Sequence, residues 1–170
     1  MILSVIDTAR FNLRPLTVAD VSTRYLSWLS DERVLRFING ATGDNHLDEL
    51  KSYVAQREGR DDVVFLGIFT HAGEHVGNIK YEPVDTEHGI AVMGILVGEV
   101  AWRGKGVAGE VIHASAIWLR DNRNVHTVVL GVDRDNIAGI RAYEKLGFIE
   151  EAHPFLTVDA KWSCPMIWRF

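Results

Sequence analysis

Residues 90–112 read Ile-Ala-Val-Met-Gly-Ile-Leu-Val-Gly-Glu-Val-Ala-Trp-Arg-Gly-Lys-Gly-Val-Ala-Gly-Glu-Val-Ile. A Val- and Ile-rich apolar run leads into a short polar, glycine-rich loop, and a helical pattern starts near Val107. A strand that passes through a glycine loop into a helix creates an anion site. The first N–H groups of the helix lack internal partners, and the helix dipole adds partial positive charge there. Gly104 and Gly106 remove side chains that would block close backbone approach. Arg103 and Lys105 add formal positive charge beside them. The stretch is therefore expected to bind phosphate. The nucleotide loop G-x-x-x-x-G-K-[ST] does not fit: Gly98 and Gly104 are too far apart, and Gly106 stands where Ser or Thr should hold magnesium. The dinucleotide pattern G-x-G-x-x-G has no acid clearly placed for a ribose.

A length of 170 residues suits one domain, residues 1–170, with enough chain for a sizeable core. With 47% hydrophobic and 24% charged residues, the composition is that of a globular protein rather than a disordered or membrane one. The formal charge of −5 argues against nucleic acid as a partner. No apolar run approaches a membrane span, and Met1–Ile6 lacks the basic start and cleavage site of a signal peptide. The single Cys164 excludes an internal disulfide and suits a cytoplasmic setting. No spacing among the histidines and Cys164 suggests a metal site.

Short strands are expected at 2–6 and 11–16. Thr17, with Asp20 three residues on, is read as the N-cap of a helix to about Ser30, its face formed by Val21, Tyr25, Trp28 and Leu29. A second helix is expected from Leu47 to Glu58, and strands at 63–69, 76–81 and 91–97. Val107, Val111, Ala114 and Trp118 form one stripe of the helix after the glycine loop, which is expected to end at Asp121-Asn122. A strand at 127–132, a helix to about Leu146 with Gly147 after it, and strands from Phe148 and over 162–170 complete the chain. The sum is a mixed α/β sheet of about seven strands with about four helices on both faces.

The glycine loop resembles the acyl-CoA loop of the GNAT acetyltransferases, whose signature [QR]-x-x-G-x-[GA] is met by Arg103-Gly-Lys-Gly106-Val-Ala108. That family's second pattern, N-x-x-[AS]-x-x-x-Y-x-x-x-G-F, has its counterpart in Asn136-Ile-Ala-Gly-Ile-Arg-Ala-Tyr143-Glu-Lys-Leu-Gly147-Phe148, with Gly139 where Ala or Ser is usual. The likeness runs from about Phe11. Gly77-Asn-Ile-Lys80 and Gly94-Ile-Leu-Val-Gly-Glu99 make it closest to the branch with ribosomal-protein N-terminal, spermidine and amino-sugar acetyltransferases.

The resemblance implies a GNAT-like, mostly antiparallel sheet whose central strands part, and direct transfer of acetyl from acetyl-CoA to a primary amine. The pantetheine arm would enter between strands 91–97 and 127–132, with backbone N–H near Leu96 or Val97 facing the thioester carbonyl. Arg103, Gly104, Lys105, Gly106, Val107 and Ala108 would hold the pyrophosphate, and Asn136 the arm or a water. Tyr143 would be the general acid for the departing thiolate. Glu99, just past the central strand, would be the general base. The plain alternatives are a core tyrosine, a helix-capping asparagine and a solvated loop carboxylate. Asp133 and His113 are weaker candidates for the base.

Two other functions compete: a non-catalytic acyl-CoA sensor of the same fold, and a nucleoside-triphosphate enzyme using the glycine loop. The acceptor is a small-molecule amine or a peptide N-terminus. Its pocket is expected from residues 20–60 and 152–161, which contain Tyr25, Trp28, Phe37, Asp44, Asp48, Glu49, Tyr53, His153, Phe155 and Asp159. Acids among aromatics suit a cationic amine. The assembly is read as a monomer, or a homodimer paired through the final strand.

Overall fold

The structure is a computed structural model that describes residues 4–29 and 46–170. Phe37 and Asp44 lie outside the described residues. The chain begins with β1 (Ile6–Asp7) and β2 (Phe11–Pro15), then α1 (Thr23–Trp28) and α2 (His46–Ala55). Three strands follow, β3 (Val64–Thr70), β4 (His75–Asp85) and β5 (Ile90–Val97). Helix α3 (Val107–Arg123), β6 (Thr127–Asp133), α4 (Ile137–Leu146), β7 (Ile149–Glu150) and β8 (Ser163–Arg169) complete it. The strands form one sheet in the order β1-β2-β3-β4-β5-β6-β8-β7, antiparallel everywhere except between β5 and β6. The expected mixed sheet with helices on both faces is what the chain forms, with eight strands among the described residues.

The helix expected to run from Thr17 is instead two pieces. Thr17 caps a single 3-10 turn, Val18–Asp20, and the backbone of Val21 is extended at φ −71°, ψ 115°. The cause is local. The Asp20 carboxylate is drawn back to the Thr17 N–H and to the Arg14 guanidinium, and Val21 turns into the core. Ser22 then provides a new cap by accepting from Tyr25 N–H. In the middle of the chain α3 runs one residue beyond Asn122, because Asn124 adopts the left-handed conformation (φ 55°) and its N–H donates to Leu119 C=O.

The alternation of side chains divides the core in two. On one face Ala91 and Met93 of β5, with Val128 and Leu130 of β6, pack against Val107, Val111, Ile112 and Leu119 of α3. Ile140, Tyr143 and Leu146 of α4 join this side. On the opposite face Leu96 packs with Tyr25, Trp28, Leu50 and Val54 beneath α1 and α2. Further along that same face Ile90 and Val92 pack with Val129, Ile167 and Leu156. Gly94 lies between these two groups. Strand β8 is covered by β7 at Met166 and Ile167, so the final strand is not a bare edge along its whole length.

Candidate active site at the parting of two parallel strands

β5 and β6 pair only through Ile90↔Thr127, Ala91↔Val128 and Val92↔Val129. β5 continues to Val97 against β4, while β6 continues to Asp133 against β8. From Met93 onward the two strands diverge, each keeping its outer partner. Gly98 N–H donates to Val76 C=O on the β4 side. Backbone alternation therefore turns the N–H groups of Val97 and Ile95 towards β6, into the parting, and those of Leu96 towards β4. Of the two residues expected to meet a thioester carbonyl, Val97 has the suitable orientation and Leu96 does not.

The glycine loop closes one end of this parting. Gly104 and Gly106 have φ of 71° and 75°, which L-residues rarely adopt, and Gly106 is the N-cap of α3. The 3-10 turn Val100–Trp102 brings the chain round to the loop. The loop's own cation behaves unexpectedly. Arg103 is not extended into water: Nε donates to Val97 C=O at 3.0 Å and Nη2 to Gly98 C=O at 3.2 Å. Its guanidinium thus ties the loop to the end of β5.

A second arginine, which the loop motif does not contain, lies beside the loop. Arg10 Nη1 donates to Lys105 C=O at 2.9 Å, and Arg10 Nε pairs with Glu110 at 2.7 Å. Glu110, in the first turn of α3, also accepts from Thr8 Oγ1 and Arg10 N–H. Burial works against the charged Glu110 carboxylate, but these donors outweigh it and hold its pKa below the ordinary value. Nothing in residues 94–150 pointed to Arg10, since its link to the loop is tertiary.

Asn136 N-caps α4, its Oδ1 accepting from Gly139 N–H at 2.9 Å. A Cβ at Gly139 would stand 2.6 Å from Asn136 Nδ2. The glycine at this otherwise Ala-or-Ser position thus gives the capping amide its space. Tyr143, on the next turns of α4, is half-buried and packs against the Phe148 ring with centroids 5.7 Å apart. Burial raises the pKa of its phenol. Its hydroxyl has no hydrogen-bond partner among the described residues.

Glu99 approaches from the opposite face. Its Oε1 accepts from Trp28 Nε1 at 3.0 Å and pairs with Arg24 Nε at 3.2 Å; Arg24 also reaches Glu74. Oε2 has no partner among the described residues. Glu99 is therefore a held carboxylate rather than a solvated one. Trp28 lies flat against Gly98, where a Cβ would stand 2.0 Å from the indole, and edge-on to His75 at 4.8 Å. His75 stacks on Phe69 and hydrogen-bonds Asn78 Oδ1 at 2.7 Å. Burial lowers its pKa. Asp133, exposed, N-terminally caps the following turn through Asp135 N–H, and His113 is on the exposed side of α3. Asp133 ends β6, one wall of the parting, whereas His113 faces away from the sheet. Among the described residues no cluster of His, Cys, Asp and Glu could hold a metal ion, and no helix is long and apolar enough to cross a membrane.

The family model for the acetyltransferase (GNAT) domain matches residues 10–149. The chain belongs to this family. This GNAT chain is thus an N-acetyltransferase, and the family supports acetyl transfer to amines. It is 24% identical over 138 residues to an N-acetyltransferase 9-like protein of Caenorhabditis briggsae, covering 74% of this chain and 68% of that one. Among solved structures, the spermidine N-acetyltransferase from Vibrio cholerae in complex with CoA and spermine superposes with a TM-score of 0.75 at 20% identity, over 94% and 95% of the two chains. A GNAT-family acetyltransferase from Bacillus anthracis gives a TM-score of 0.76 at 16% identity, over 98% of each chain. At these identities the two structures establish the likeness of fold.

Proposed function

We propose that residues 1–170 form a single GNAT domain that transfers acetyl from acetyl-CoA directly to the primary amine of a small molecule. The observation that carries this reading is the divergence of β5 and β6 from Met93 onward, with the left-handed glycine loop and the start of α3 at its mouth. The thioester supplies an activated acetyl carbon. The free N–H groups at the start of α3 and the loop backbone from Arg103 to Ala108 bind the pyrophosphate, while Arg10 and Arg103 hold that loop in place. Val97 N–H receives the oxygen of the acetyl carbonyl as negative charge develops on it.

The amine attacks from the α1–α2 face. Glu99 Oε2 takes its proton, directly or through one water, as the new C–N bond forms. The C–S bond then breaks, and Tyr143, on the α3–α4 face, gives its proton to the departing thiolate. Two features support this division. The base and acid lie on opposite faces of the sheet, so the proton taken from the amine and the proton given to the thiolate pass through separate groups. The raised pKa of Tyr143 keeps the proton in place until the thiolate forms.

The test is release of free thiol from acetyl-CoA by purified protein with a panel of N-terminal peptides, polyamines, amino acids and amino-sugar nucleotides. Release with small amines is the expected result. Acetyl-CoA binding with no release from any amine would instead support a sensor, and no binding would overturn the assignment of residues 103–108.

A further inference from the structure

The face from which the amine is expected to approach has a charged wall that the transfer chemistry does not use. Gly94 stands on the floor of this face. It is exposed, and no atom lies within 4 Å of where its Cβ would be. Gly131 of β6 is its counterpart across the parting, with Val158 above it. The residue directly opposite Gly94 on β4 is Lys80, and paired residues of antiparallel strands point to the same face. The missing side chain at Gly94 therefore leaves an open groove along the stem of Lys80.

Lys80 is fixed in that position. Its ammonium donates to Tyr53 Oη and pairs with Glu82 Oε2 at 3.0 Å. Arg57 stacks on the Tyr53 ring at 3.6 Å and pairs with Glu82 at 2.8 Å. Arg60 shares Glu82 with them and also binds Asp62. Three cations thus share two carboxylates. The donors are in surplus too. An ammonium has three N–H bonds, and only two of those on Lys80 have partners among the described residues. One step along β4 on the same face, Asn78 is 4% exposed, and its Nδ2 has no partner among the described residues. A wall with excess positive charge and excess donors is complemented by an acceptor group that is both anionic and donor-free. Nearer Glu99 the balance is reversed, with Arg24 shared between Glu74 and Glu99, which suits the amine end of such an acceptor.

We infer that Lys80, held by Tyr53 and Glu82, is a specificity-determining residue that binds an oxyanion of the acceptor, a carboxylate or phosphate close to the amine. This rests on the transfer reading above and extends it to the acceptor's charge.

The experiment compares matched acceptors: amino acids against their amides, and amino sugars against their phosphates. The expected result is a preference of tenfold or more in kcat/KM for the anionic member of at least one pair. That preference should fall to less than threefold in Lys80→Met, mainly through KM, and fall partway in Tyr53→Phe. The carboxylate pair and the phosphate pair distinguish the two sources of oxyanion. Equal rates for both members of each pair, or a preference that survives Lys80→Met, would overturn the inference. Melting temperatures of both variants, compared with wild type, separate misfolding from lost recognition. Silence with every amine would break the transfer reading alone. The Lys80 inference is then decided by calorimetric titration of the CoA-loaded protein with N-acetylglycine and inorganic phosphate. Binding of either that is lost in Lys80→Met sustains it, and no binding of either overturns it.

Discussion

At the scale of the residue, the site depends on which atoms are already engaged. Tyr143 has a half-buried hydroxyl with no hydrogen-bond partner among the described residues, which is the state required of an acid. Glu99 has one oxygen engaged by Trp28 and Arg24 and the other open, which is the state required of an oriented base. The two roles can be separated by substitution. Tyr143→Phe removes only a proton donor and should lower kcat by about 10²-fold or more, the lower end of general acid–base contributions, with acetyl-CoA affinity little changed. Glu99→Gln can keep the hydrogen bond from Trp28 but loses the proton acceptor and the charge paired with Arg24, so its rate loss should lie in the step with amine. Steady-state kinetics with both substrates varied checks each variant, and turnover at the wild-type rate would remove that residue from the chemistry. The residue types and spacing of Asn136, Tyr143 and Gly147-Phe148 were legible in the sequence. The partners of Glu99 were not, because Trp28 and Arg24 lie some seventy residues earlier in the chain and meet it only through the seating of α1.

At the scale of the element, strands and glycines were more readable than helix starts. The strand from Ile90 to Val97 and the helix from Val107 follow from their periodicity. The break at Val21 does not, since a helical stripe through Val21, Tyr25, Trp28 and Leu29 is compatible with a continuous helix. The break is decided by Asp20 turning back to Thr17 and Arg14. Arg10 and the surplus charge around Lys80 were hidden for a related reason: Arg10 depends on the packing of the β1–β2 bend against α3, and Lys80 on strand register, not on local pattern. The seating of α1 makes stability depend on pH. Trp28 and Tyr25 pack on His75, whose pKa is lowered, first by burial. An imidazole kept neutral in the folded chain binds fewer protons than in the unfolded chain below the ordinary value of 6.5. Its contribution is therefore complete above that pH and lost as pH falls through the lower folded value. The melting temperature should decline from pH 7 towards pH 5, and His75→Gln should flatten that part of the curve. Asp20, Glu82 and Glu110 also have lowered values, but they act further down, below their ordinary 3.8 to 4.5. An equal decline in His75→Gln would show that the imidazole is not the cause.

At the scale of the whole molecule, one departure from regular pairing organises the rest. Among the described residues β5 and β6 are the only parallel neighbours in the sheet, and they stay together for three residue pairs. Beyond them the strands part, with α3 and α4 over one face and α1 and α2 over the other. The glycine loop opens on the α3 side, and Gly94 and Lys80 face the α1–α2 side. In the proposed transfer a long thioester and an amine meet from opposite faces without competing for one entrance. The most direct test of this account is amide hydrogen exchange of the full chain with and without saturating acetyl-CoA. The account predicts slower exchange at residues 104–109 of the loop and α3, and at the inward N–H groups of Ile95 and Val97, with little change at Leu96. Protection confined to other surfaces, or none at the loop and the β5 amides when acetyl-CoA is bound, would contradict it.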